Sequence, residues 1–176
     1  MLRAVGPAIR SADPGAEVVT AGLPNSPTGI PLGTFLRGMY RAGARGSFTA
    51  LGMQPYAPTP GLVIDQIRKA RALMRRNGDR AGVRVTEIGW ATGGPGKKPV
   101  SERAQARLLR QTVTRLVRER SAVRLTGVTL FNWRDAPPYA GGHDLWGVPA
   151  GLHAQDGRPK PVVSALGRLL KQVLHR

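Results

Sequence analysis

The chain has 176 residues, 41% of them hydrophobic and 21% charged, a balance within the range of ordinary globular domains. A chain of this length buries roughly 70% of the surface it exposes when unfolded, so its stability requires neither disulfides nor a structural metal. Cysteine is absent, which excludes a disulfide framework, a thiolate metal site and a cysteine nucleophile together.

No apolar run approaches the ~20 residues that cross a bilayer, so no membrane segment is expected. Residues 1–15 carry charge every few positions and lack the continuous apolar stretch of a secretory leader. Lysine and arginine number 27 against 10 acids, a formal charge of +17, and such an excess invites a polyanionic partner. The distribution weakens that inference. Only 5 of the positive residues are lysines, and the abundance of Ala, Gly, Pro and Arg matches the codon bias of a GC-rich genome. The densest runs, Arg68-Lys69-Ala70-Arg71 with Arg75-Arg76 and Arg103 to Arg120, fall in helical patterns where a charged outer face is expected. No aromatic residue alternates with them, against a stacking platform for single strands. Nucleic acid is therefore not expected as a partner.

In chain order, Leu2, Val5 and Ile9 show helical spacing before the turn signal Asp13-Pro14-Gly15. A β-branched run at 17–22 follows, then a short helical pattern over Leu32 to Ala42. The second strand pattern is 48–53, followed by a helical stripe of Leu62, Val63, Ile67, Ala70, Leu73 and Met74. The third is 83–88, followed by Ala104, Leu108, Leu109, Thr112, Val113, Leu116 and Val117 on one helix face. The fourth is 125–131, and Val162 to Leu174 gives the last helix, with Asp156-Gly157 as a turn and Pro161 in the first helical turn. Strand starts at 17, 48, 83 and 125 suit strand–helix–strand crossovers in a parallel sheet. The fold class is thus α/β, with four β/α units in series.

No GxGxxG or GxxxxGK[ST] follows any strand, which removes the nucleotide fingerprints of an open doubly wound sheet. Gly93-Gly94-Pro95-Gly96 reads as a plain connection. A closed (β/α)8 barrel takes ~250 residues, so four units make half of one. Half a barrel has two open sheet edges, through which the isolated chain is expected to self-associate.

In a parallel barrel the reactive groups sit at the C-terminal ends of the strands. Glu87 occupies such a place, followed at once by Ile88-Gly89-Trp90. The second strand ends in Gln54, Pro55 and Tyr56, and the fourth in Asn132, Trp133, Arg134 and Asp135. Apolar rings stack on sugar faces, while amide, phenol and carboxylate groups hydrogen-bond sugar hydroxyls, so the set suits a carbohydrate cleft. His143, His153 and His175 show no metal spacing, GxSxG is absent, and no cofactor is called for. His143, Asp144 and Trp146 fall in the loop after the fourth strand.

VRVTEIGW at 83–90 resembles the seventh-strand nucleophile motif of retaining (β/α)8 glycoside hydrolases of the cellulase and β-xylosidase superfamily, clan A. MQPYAP at 53–58 is similar to their sixth strand, FNWRD at 131–135 to their eighth, and 151–161 to the turn before their last helix. The resemblance covers almost the whole chain in the right order. It implies a single partial catalytic domain over 1–176, representing strands five to eight of a partial TIM barrel, and an extracellular or cell-surface setting. It makes Glu87 the nucleophile and Tyr56 the group that orients it, with Trp133 flooring the adjoining subsite and Gln54, Trp90 and Asp135 as further substrate contacts. Gln54 departs from the histidine common in that family.

Retaining hydrolysis also needs a second carboxyl about 5 to 5.5 Å from the first. In the resembled family it is a glutamate after asparagine, and the chain has no Asn-Glu pair. The expectation is that the acid/base lies upstream of Met1 and that this chain, a C-terminal half, is inactive alone. The alternatives are a non-catalytic sugar-binding half-barrel and, behind it, a basic nucleic-acid binder.

Overall fold

The computed structural model describes residues 1–25, 29–94, 99–137 and 149–174. They form two compact units: residues 1–87 with 118–129, and residues 88–117 with 130–176.

The first unit holds a four-stranded parallel sheet in the order β1 (Leu23–Pro24), β2 (Ala50–Gln54), β3 (Gly82–Val85) and β4 (Leu125–Val128). Sequential strands are therefore neighbours, as short strands joined by helical crossovers require. With it come α1 (Leu2–Ala12), α2 (Leu32–Arg41), α3 (Pro60–Arg76) and α5 (Arg120–Val123). α1 contains Pro7, and its Gly6 lies so close to the Ser47 carbonyl that a Cβ would collide with it. α3 starts where Thr59 Oγ1 accepts the Leu62 N–H and Pro60 fills the first turn, and it stops at Asn77 before Gly78 with φ +67°.

Each strand is shorter than its apolar run. The expected strand at 17–22 survives as one bridge, Val19 to Ala50, with regular pairing resuming only at Leu23. Thr20 accounts for the gap: its hydroxyl accepts the Gly52 N–H at 2.9 Å, replacing a backbone acceptor. The ladder of β3 ends at Val85, short of the expected 88, and that of β4 ends at 128, short of 131, with a register shift opposite Val83/Arg84.

The two faces of the sheet differ. Leu51, Met53, Val83 and Val85 are completely buried. Gly52, Gln54, Arg84 and Thr86 alternate with them, and Arg84 reaches Glu17 with two hydrogen bonds of 2.9 and 2.6 Å. A hydrogen bond with Thr126, and then that from Arg84, hold the Glu17 carboxyl below the usual glutamate range against desolvation by burial.

The basic helices are mostly solvated. Arg68, Lys69, Arg75, Arg76, Arg103, Arg107, Arg110, Arg115, Arg118 and Arg120 are exposed. Arg71 corrects the pattern: it is 7% exposed and donates to the carbonyls of Asp79 and Ala81. Burial pulls its pKa down from the ordinary arginine value.

The second unit contains α4 (Glu102–Arg118, all but its last residue) and α6 (Pro161–Leu174). Residues 132–135 pair with 150–154, which turn through Asp156-Gly157 and return along 158–160 to enter α6 at Pro161. Gly157 has φ +89°, and Asp156 Oδ1 accepts the Arg158 N–H at 2.9 Å, so the turn signal and the proline both act as their chemistry requires.

Candidate functional site

Parallel strands bring their C-terminal ends to one edge of a sheet, and three of the expected residues come from that edge of the first unit. Gln54 is the last residue of β2, Tyr56 follows two later, and Glu87 lies two past the end of β3. The Tyr56 hydroxyl donates to Glu87 Oε2 at 2.9 Å. The tyrosine is itself held from two sides: its N–H donates to the Gln54 carbonyl at 2.9 Å, and its carbonyl accepts from Gln66 Nε2 of α3 at 3.0 Å. The Gln54 amide and the Thr86 hydroxyl crowd the backbone of Gly22, where a Cβ would stand 2.8 and 2.6 Å from them. A side chain at position 22 would displace them. Glu87 is half-buried, so its carboxylate is fixed by a phenol yet remains reachable by solvent.

The other carboxylates of this unit are all engaged elsewhere. Glu17 pairs with Arg84, Asp79 accepts from Tyr40 at 2.8 Å, and Asp65 and Glu119 both hold Arg68. Asp13 Oδ1 accepts the Gly15 N–H.

In the second unit the expected sugar contacts divide. Trp133 is 73% exposed, with the His153 ring 4.5 Å away at 42°, so an indole face is open to a ligand. Trp90 is 6% exposed, and its carbonyl accepts from Gln105. Its indole is largely enclosed by protein. Asp135, also expected as a contact, is engaged within this unit. Its oxygens lie 2.8 and 2.7 Å from Lys160 Nζ, and Oδ1 also accepts the Gly151 N–H at 2.7 Å.

Two residues of this unit escaped sequence reasoning. Lys160 is 2% exposed and donates also to Thr92 Oγ1 at 2.8 Å, tying residues 92, 135 and 149–151 together. Gln105, wholly buried, donates to the carbonyls of Trp90, Ala150 and Gly151. Its signal was present, because Gln105, Leu109, Thr112 and Leu116 recur at helical spacing and all are buried. A polar side chain on the buried stripe of a helix is satisfying something specific. His143, Asp144, Trp146 and His175 lie outside the described residues. Among the described residues no helix is long and apolar enough to cross a membrane.

No protein-family model and no curated protein matches the chain. Solved structures do. A GH2 β-galacturonidase from Eisenbergiella tayi, bound to glycerol, is similar with a TM-score of 0.60 and 16% identity, over 94% of this chain and 28% of its own. A β-glucuronidase from an uncultured Clostridium sp. is similar at TM-score 0.52 and 18% identity, over 71% of this chain and 23% of its own. One from Faecalibacterium prausnitzii follows at 0.55 and 15%, over 72% and 22%. The chain thus has an α/β fold similar to part of these structures and spans less than a third of their length. At 15–18% identity the likeness is one of fold, and these neighbours are a β-galacturonidase and β-glucuronidases, not the cellulases and β-xylosidases that the motifs resemble.

Proposed function

We propose that the chain is the nucleophile-bearing half, strands five to eight, of a retaining (β/α)8 glycosidase. The observation that carries this reading is the 2.9 Å hydrogen bond from the Tyr56 hydroxyl to Glu87 Oε2 at the C-terminal ends of β2 and β3. A carboxylate bonded on one oxygen to a phenol keeps a fixed direction of attack. The related fold of the glycoside hydrolases supports the same reading.

In the proposed mechanism Glu87 attacks the anomeric carbon. A carbon–oxygen bond forms to the carboxylate as the bond to the leaving oxygen breaks, and a second carboxyl protonates that oxygen. The same group then takes a proton from water, which attacks the anomeric carbon and releases Glu87. Tyr56 holds the nucleophile, and Gln54 faces sugar hydroxyls. Asp135 and Trp90 support the second unit without touching substrate.

An activated 2-deoxy-2-fluoroglycosyl fluoride tests this, because fluoride leaves without protonation and needs only the nucleophile. A panel of glucoside, xyloside, glucuronide and galacturonide should give a covalent adduct on the peptide containing Glu87, slowed in Tyr56→Phe and absent in Glu87→Gln. Absence of any adduct, or an adduct that persists in Glu87→Gln, refutes the assignment.

A further inference from the structure

β2 ends at Gln54 and α3 begins at Pro60, so residues 55–59 carry Tyr56 from the sheet edge to the helix. Pro55, which is buried, fixes one backbone angle of this connection. Backbone groups on both sides of the Tyr56 Cα are held. Its N–H donates to the Gln54 carbonyl at 2.9 Å, and its carbonyl accepts from Gln66 Nε2 at 3.0 Å. The first bond closes over Pro55 alone and does not fix the peptide that follows the tyrosine. Gln66, from the second turn of α3, does.

Gln66 stands three residues after Val63 and four before Ala70, both buried, which puts it toward the inward face of the helix. Its Oε1 is buried and has no hydrogen-bond partner among the described residues. Turning the amide over brings no relief, because its oxygen would then face the Tyr56 carbonyl oxygen. A leucine or methionine would fill the same place without an orphaned acceptor, so packing does not account for an amide here. What the amide supplies is the donor to Tyr56.

That donor acts on the phenol by leverage. A tyrosine hydroxyl stands about 6.5 Å from its Cα, so a turn of about 10° in the Cα–Cβ direction moves it by about 1 Å. The 2.9 Å bond from the Tyr56 hydroxyl to Glu87 Oε2 does not survive such a displacement.

We infer that Gln66 is a positioning residue of this site: by holding the Tyr56 carbonyl it keeps the phenol on Glu87 Oε2 and so fixes the direction of the carboxylate. Gln66 works through Tyr56 and touches no substrate. Its bearing on turnover rests on Glu87 as the nucleophile; its hold on the phenol does not.

Tyrosine labelled with carbon-13 at the hydroxyl-bearing ring carbon reads that hold directly in the 176-residue chain. The Tyr56 signal, identified by its loss in Tyr56→Phe, should shift as acid protonates Glu87 and stay in place in Glu87→Gln. In Gln66→Met, which keeps the side-chain length and removes the donor, this response should be largely lost while the circular dichroism matches the parent's; Gln66→Leu repeats the test with a stiffer side chain. Labelling by the 2-deoxy-2-fluoroglycosyl fluoride should slow in Gln66→Met by about two- to tenfold, the range one hydrogen bond supports, with the half-saturating concentration unchanged. Gln66→Met/Tyr56→Phe should react as Tyr56→Phe alone. Tyr40→Phe, which loosens the opposite end of β3 through Asp79, should react as the parent. An unchanged Tyr56 response in Gln66→Met overturns the proposal. So do a double variant slowed by the product of the two single factors, and a Tyr40→Phe slowed as much as Gln66→Met, which means general loosening. A parent that forms no adduct refutes the nucleophile and leaves the carbon spectrum to decide the positioning.

Discussion

Lys160→Met is the perturbation with the largest effect expected in the second unit. The lysine is 2% exposed, its ammonium lies 2.8 and 2.7 Å from the two Asp135 oxygens, and it donates as well to Thr92 Oγ1 at 2.8 Å. Methionine keeps the packing of the stem and removes the charge. Asp135 would then retain the Gly151 N–H alone, with its side chain 16% exposed. Breaking a buried pair by removing one partner costs about 3–5 kcal/mol, and partial access of water to Asp135 puts the expected loss near the lower end, about 3 kcal/mol. That is a large share of the roughly 5–15 kcal/mol by which a domain is stable. Urea unfolding at neutral pH measures it as a fall in midpoint at unchanged slope. The double variant Lys160→Met with Asp135→Leu should recover part of the loss, since no buried charge is then stranded. A loss below about 1 kcal/mol, or a double variant equal to the sum of the singles, refutes the claim that the pair anchors this unit.

Three further outcomes are expected in the first unit. Tyr40→Phe leaves Asp79, 6% exposed, with its Ala81 N–H bond but without the 2.8 Å phenol bond, and should lower urea stability by about 1.5–3 kcal/mol; the phenol itself, raised far above its ordinary value by burial and then by Asp79, should show no titration in ultraviolet difference spectra up to the alkaline end of the folded range. Gly6→Ala should destabilise by about 1–3 kcal/mol through its collision with the Ser47 carbonyl, although alanine is favoured over glycine in helices by about 1 kcal/mol; a gain in thermal midpoint would overturn this packing. Glu17, whose folded pKa is depressed by Thr126 and Arg84, contributes stability that is present above the ordinary glutamate value and lost as pH falls through the lower folded value. Urea midpoints in Glu17→Gln should therefore fall less between neutral and acid pH than in the parent, and parallel curves would contradict it.

Helices α2, α3, α4 and α6 were legible because each buries residues at spacings of three and four, whereas α1 shows the spacing but leaves Val5 and Ile9 exposed. Strand ends were less so. An apolar run such as 83–88 reads as one strand, but the ladder stops where a partner strand stops, and Glu87 is two residues past that point. The gap in the first strand came from one threonine hydroxyl competing for a backbone amide, an interaction with no periodicity to betray it. α5, four residues long, is too short to show a stripe at all.

The site divides along the same line. Glu87 and Tyr56 could be placed together because parallel strands of neighbouring units end at one edge, so two residues just past those ends meet whatever the loops do. The aromatic residues obey no such rule. Trp90 and Trp133 each stand three or fewer residues from Glu87 or Asp135 in sequence, yet one is buried and the other 73% exposed. What separates them is the backbone that follows. The Trp90 carbonyl is captured by Gln105 and the chain continues buried through Ala91, whereas the Trp133 and Asn132 peptides pair with 152–153 in a strap fastened by Lys160. An indole on such a strap keeps a free face while its backbone is fixed. The hold of Lys160 on Asp135 is therefore a condition for the exposure of Trp133 on that strap.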